Sequence, residues 1–140
     1  MITNSKIQTQ KVAKELAKQC PKQGLGQKAV LIGLSGELGS GKTTFVQGFA
    51  KSLGIKKKVI SPTFVLMKRY KNLYHIDCYR IDSYKEILDL GWKDMLANKE
   101  NIILVEWAEK IKKIFPKSYV WIKFTHKSLN QRGIDIRFVK

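Results

Sequence analysis

Gly36, Glu37, Leu38, Gly39, Ser40, Gly41, Lys42 and Thr43 satisfy the spacing G-x-x-x-x-G-K-[ST]. The chemistry that needs this spacing is phosphate binding. Glycines let a backbone turn tightly and aim several N–H groups at one anion. A helix starting at the lysine adds the positive end of its dipole, about half a charge. In that frame Lys42 reaches the β- and γ-phosphates, the Thr43 hydroxyl ligates Mg²⁺, and Thr44 donates toward the α-phosphate. The expected cofactors are therefore ATP and Mg²⁺.

Mg²⁺ takes hard oxygen ligands, commonly one or two carboxylates with waters and phosphates. Two acids end β-like runs, where such a ligand is expected. Glu106 follows Ile102-Ile103-Leu104-Val105, and Asp77 follows Leu73-Tyr74-His75-Ile76. Two plainer readings compete: a helix N-terminal acid for Glu106 and an ion pair with Arg80 for Asp77. An acid closing an apolar strand is costly to bury without a partner, and one Mg–ATP site gives both a partner. The stretch YHIDCYR, 74–80, also holds His75 and Cys78, but a P-loop's magnesium prefers oxygen to nitrogen or sulfur. Cys78 is expected on the opposite face from Asp77. His75 shares the Asp77 face and is expected to orient that acid or pack below the site.

Positioning these residues requires a sheet. Residues 29–35, AVLIGLS, form a short apolar run, as expected of a strand buried on both faces. The run feeds the Gly-rich turn and then an amphipathic helix over about 42–53, ended by Gly54. An earlier helix spans 10–20, with Thr9 as its N-cap and Pro21 as its stop. Residues 59–82 read as strand, loop and strand, with a KN turn at 71–72. Ser83 and Glu86 form a capping box for one or two short helices broken near Gly91. NIILVEW, 101–107, is a second buried strand, followed by a basic helix over 108–114. SYVWIKFTH and GIDIRFV alternate with period two and predict an antiparallel pair near the sheet edge. The whole predicts one α/β domain over 1–140, a three-layer P-loop NTPase fold with a mixed, partly parallel central sheet and antiparallel edge strands.

Composition sets the remaining bounds. The 140-residue chain is 44% hydrophobic, as a folded globule is, and carries 23 Lys and 4 Arg against 11 acids, for a formal charge of +16. Lys-dominated and spread along the chain, this excess reads equally as solvated surface and as a footprint for polyanionic partners. No apolar run approaches the ~18 residues of a membrane span. The N-terminus lacks the apolar stretch of a secretory signal, and the two cysteines match neither a disulfide framework nor a zinc site. A reduced, cytoplasmic protein with no membrane partner is the expectation. No guanine-reading N-K-x-D is present, since NKEN at 98–101 ends in Asn, so adenine is the expected base.

GELGSGKTT (36–44), SPTF (61–64), YHIDCYR (74–80), EILDLGW (86–92) and ILVEW (103–107), in that order, resemble the TsaE family. These are bacterial P-loop ATPases that support synthesis of threonylcarbamoyladenosine in tRNA. The resemblance implies an ATPase working with TsaD-like and TsaB-like proteins, close to tRNA. It implies that Thr63 sits in a γ-phosphate-sensing loop and that Asp77 and Glu106 lie at the metal and the attacking water. Asp77 then either binds a metal-ligated water or orients the attacking one. Tyr79 and Trp107 resemble site-wall residues. Among this chain's own residues Arg80 is the best candidate for an arginine finger, the alternative being one supplied in trans by a partner. Two departures stand out. Ser40 replaces the usual Ala in what is expected to be a solvent-facing turn. Arg132-Gly133 reverses a Gly-Arg order, so the resemblance carries no nucleotide contact onto Arg132. A small metabolite kinase and an RNA-binding protein with a vestigial P-loop are the rival readings.

Overall fold

The continuous apolar runs become the centre of a sheet because each is buried at every position. The computed structural model describes residues 1–20, 28–37, 39–60 and 66–140. Strands β1 (Ile2–Thr3), β2 (Val30–Ser35), β3 (Met67–Tyr70), β4 (Leu73–Asp77), β5 (Ile102–Glu106), β6 (Tyr119–His126) and β7 (Arg132–Val139) form one sheet. Their order is β1-β7-β6-β2-β5-β4-β3. Pairings β4–β5, β5–β2 and β2–β6 are parallel, while β3–β4, β6–β7 and β1–β7 are antiparallel. The expected mixed α/β sheet with antiparallel edges is thus the observed one. The β6–β7 hairpin reaches further inward than its alternation suggested. β6 lies beside β2, where Val120, Ile122 and Phe124 fill the core, and β7 is flanked by the short β1.

Helices cover both faces, giving three layers. On one face α1 (Lys6–Gln19) and α2 (Lys42–Ser52) pack Leu16, Phe45 and Phe49 onto Ile32, Leu34 and Leu104. On the other, α3 (Lys85–Leu88), α4 (Trp92–Ala97) and two 3₁₀ turns, Ala108–Lys110 and Lys112–Ile114, enclose Trp92, Ile76, Ile103 and Val105. Each fully buried side chain of this kind contributes roughly 1.5–3 kcal/mol. α1 and α2 approach closely at Gly48, where an added Cβ would lie 2.7 Å from the Gln10 Cα.

Several local expectations are corrected. α1 starts one turn earlier than its apolar face suggested, because Ser5 Oγ accepts the Gln8 N–H and caps it. Thr9 is instead buried inside the helix, hydrogen-bonded to Thr3 at 2.8 Å. Residues 59–60 belong to no strand. The expected helix over 108–114 is two 3₁₀ turns, broken at Ile111, whose φ of −124° is not helical. The capping box is half made. Glu86 accepts the N–H groups of Asp82 and Ser83, while Ser83 Oγ accepts from Lys85.

Candidate functional site

β2 delivers the chain to the Gly-rich turn, and α2 carries it away. Gly41 is the N-cap of α2 with φ of 106°, a left-handed conformation that favours glycine. Gly36 is held as tightly, since a Cβ there would lie 2.6 Å from the Phe124 carbonyl oxygen. Lys42 is 5% exposed. Its ammonium donates to the Gly36 carbonyl and, at 3.5 Å, to that of Glu37. It also lies 3.7 Å over the Trp107 ring centre, a cation–π contact. Burial pulls its pKa down, opposed by the carboxylates of Glu106, Glu109 and Asp77.

β4 and β5 supply the acids side by side. Asp77 and Glu106 are register partners in the parallel pair, at the carboxyl ends of their strands. Thr43 Oγ1 donates to Glu106 Oε1 at 3.2 Å, across 63 residues of sequence. The other Glu106 oxygen is 2.6 Å from His75 Nε2, and both residues are buried. His75 therefore holds Glu106, not Asp77 as its strand face suggested. Asp77 Oδ1 accepts the Tyr79 N–H at 3.0 Å. Burial is the main cause that raises the Asp77 pKa, and the nearby Glu106 charge adds to it. Cys78 points into the opposite core as expected, its thiol pushed up to about 12 by burial.

These groups share a cavity of about 500 Å³ lined by Gly39 to Thr44, Asp77, Tyr79, Glu106 and Trp107. Trp107 takes φ of 56°, rare for a non-glycine residue, and its ring meets Tyr79 at 5.1 Å between centroids. One expectation fails here. Ser40 is 1% exposed, not solvent-facing, and its Oγ has no hydrogen-bond partner among the described residues. Arg132, given no role, lines the cavity with its stem against Gly41, while its guanidinium donates to the carbonyls of Ser128, Leu129 and Gln131. Arg80 is exposed and is not among the lining residues. Glu37 faces outward and contributes only its carbonyl. Leu38 and Thr63 lie outside the described residues.

Sequence reasoning missed Ser5, Lys6 and Thr9, which also line the cavity, together with Leu129 and Asn130 of the β6–β7 loop. No motif marks them. The β1–β7 pairing brings the first residues against Arg132 and Gly133, a long-range contact that local pattern cannot announce.

The donor set suits Mg²⁺ with a nucleotide. It offers a hydroxyl and two carboxylates, with an orphaned hydroxyl at Ser40 and a cation at Lys42. Among the described residues no cluster of three or more His, Cys, Asp or Glu is placed to hold a metal by itself. Such sparse ligation matches an ion whose remaining ligands are phosphates and waters.

A family model described as "Threonylcarbamoyl adenosine biosynthesis protein TsaE" matches residues 3–134. The chain belongs to the TsaE family. A TsaE of Bacillus subtilis is 39% identical over 113 residues, covering 78% of this chain and 70% of that protein. That of Rickettsia prowazekii is 37% identical over 138 residues, covering 95% and 90%. Both are described as tRNA threonylcarbamoyladenosine biosynthesis proteins. The crystal structure of Bacillus subtilis YdiB superposes with a TM-score of 0.77 at 29% identity, covering all of this chain and 84% of that one. TsaE proteins thus place this chain in the biosynthesis of that tRNA modification. Among the described residues no helix is long and apolar enough to cross a membrane.

Proposed function

We propose that this TsaE is a Mg²⁺-dependent, ATP-hydrolysing switch of tRNA threonylcarbamoyladenosine synthesis, acting in the cytoplasm with TsaD-like and TsaB-like proteins. One observation carries the reading. Thr43 and Glu106, distant in sequence, meet at 3.2 Å beside Lys42 and Asp77 in one cavity. Thr43 and Glu106 would hold Mg²⁺, which when bound neutralises charge on the phosphate oxygens. Lys42 exchanges its loop carbonyls for phosphate oxygens, and the ring of Trp107 bounds the space in which it moves. His75 fixes the Glu106 carboxylate so that its other oxygen faces Thr43. Asp77, its pKa raised by burial, takes the side of the attacking water as proton acceptor.

The test is direct. Lys42→Ala is expected to abolish ATP binding measured by calorimetry. Asp77→Ala is expected to bind ATP and lose hydrolysis. Full hydrolysis by Asp77→Ala would remove that residue from the mechanism. Turnover of the native protein is expected to be slow alone and changed by the partner proteins. A phosphorylated metabolite in place of free phosphate would make the protein a kinase and overturn the switch reading.

A further inference from the structure

The charge of this TsaE is unevenly placed. Residues 1–76 carry 14 Lys and Arg against two acids, Glu15 and Glu37. Residues 77–117 carry eight of each sign. Lysine itself runs through the whole chain; the acids are what the first half lacks. Because residues 1–76 build the α1–α2 layer and 77–117 build most of the opposite one, the excess belongs mainly to one side of the sheet.

On the charged side, a cleft of about 540 Å³ opens at the C-terminal end of α2. Lys51, Lys56, Lys57 and Lys58 line it, and among the described residues no acid does. All four are exposed, and none forms an ion pair among the described residues. The loop bearing three of them is tied down. Ile55 N–H bonds the Ala50 carbonyl, and Gln47 Nε2 donates to the carbonyl of buried Val59 at 3.0 Å. The nucleotide cavity lies at the other end of α2, about 15 Å away along 11 residues. The two sites are separate.

We propose that this cleft is a sequence-independent docking site for the phosphate backbone of RNA. Four cations, three of them on an anchored loop, suit a run of phosphates, which lysine binds as a point charge. A folded protein partner fits less well. Protein interfaces centre on aromatic and Arg anchors and are depleted in Lys, and among the described residues no Trp, Tyr, Phe or Arg lines the cleft. Among the described lining residues no aromatic or Arg is offered to stack on a base, and Gln47 spends its amide on the Val59 carbonyl. The choice of RNA rests on the family's role in tRNA modification, whereas the contact itself needs no ATP hydrolysis.

The experiment measures binding of the full chain to a transcribed tRNA without nucleotide, across a salt series. Three proteins are compared: native, a cleft variant with Lys51, Lys56, Lys57 and Lys58→Gln, and a control with Lys85, Lys93, Lys99 and Lys117→Gln. The control lysines are also exposed but lie in the charge-balanced segment. ATP binding, read in parallel, is expected to be native in all three and reports folding. The cleft variant is expected to bind tRNA about tenfold more weakly near physiological salt, with its log–log salt slope reduced by about 3. The control is expected to keep most of its affinity. A DNA hairpin of equal charge is expected to compete, since only phosphates are read. Equal losses in cleft variant and control would overturn the proposal, as would an unchanged cleft variant. So would a cleft variant that keeps tRNA but loses polyglutamate, which would assign the surface to an acidic protein. Failure of the DNA hairpin to compete would overturn the phosphate-only contact. Because ATP hydrolysis is not measured, failure here leaves the ATPase reading untouched, and failure there leaves this one.

Discussion

The imidazole Nε2 of His75 and Oε2 of Glu106 lie 2.6 Å apart, with 0% and 4% of their side chains exposed. This contact fixes one carboxylate oxygen and leaves the other to Thr43. Replacing His75 by Leu strands a buried acceptor, a cost of about 1–3 kcal/mol, visible as a lower melting temperature. His75→Gln, able to donate, is expected to recover part of that stability. The catalytic rate is expected to fall further than ATP affinity in both. Equal loss of both parameters would assign His75 to folding alone.

Ser40 offers a second test. Its hydroxyl is buried without a partner among the described residues. Ser40→Ala removes a desolvated group and is expected to leave the ligand-free protein unchanged or more stable by up to about 1 kcal/mol. The melting shift produced by ATP is expected to shrink, because Ser40 is among the residues that line the cavity. An unchanged shift would show that Ser40 contributes nothing to the bound state.

Gly48→Ala pits two effects against each other. Alanine gains about 1 kcal/mol of helix propensity over glycine. Its methyl would lie 2.7 Å from the Gln10 backbone, and prying the helices apart costs typically 1–3 kcal/mol. Packing is expected to win, so thermal melting should show net destabilisation. A stabilised variant would mean that α1 shifts freely on α2.

Burial raises the thiols of Cys20 and Cys78 to about 11 and about 12. Both are therefore almost wholly protonated at pH 8, and labelling by iodoacetamide is expected to be slow in the native protein and rapid after denaturation. The sign for stability follows. The folded chain keeps these protons where the unfolded chain, near 9, has released them. Stability should therefore fall as pH rises from about 9 toward 12. Mass spectrometry of labelled protein at pH 8 decides the first point, since fast modification of either cysteine contradicts its burial.

Much of this architecture was legible locally. The runs ending at Ser35 and Glu106 had to be interior strands, because continuous apolar sequence cannot face water on one side. The Lys42–Thr43 pair announced its chemistry through spacing. Illegible were relationships set by long-range pairing. Ser5 and Thr9 are both fair caps by type, and only the Thr3–Thr9 contact shows which one turns inward. His75 shared a strand face with Asp77, yet the neighbouring strand's Glu106 was the nearer partner. Arg132 was set aside on residue order, although the β1–β7–β6 edge carries its stem onto Gly41.

That edge has a consequence for assembly. The cavity takes walls from Ser5, Lys6 and Thr9 and from Leu129, Asn130 and Arg132 as well as from the motifs between them. A chain still emerging from the ribosome has every motif residue long before it has a closed site. Nucleotide affinity should therefore appear late and all at once, as the hairpin seats. Bound nucleotide in turn should stabilise the whole domain by mass action, so ligand occupancy is a readout of complete folding rather than of one loop.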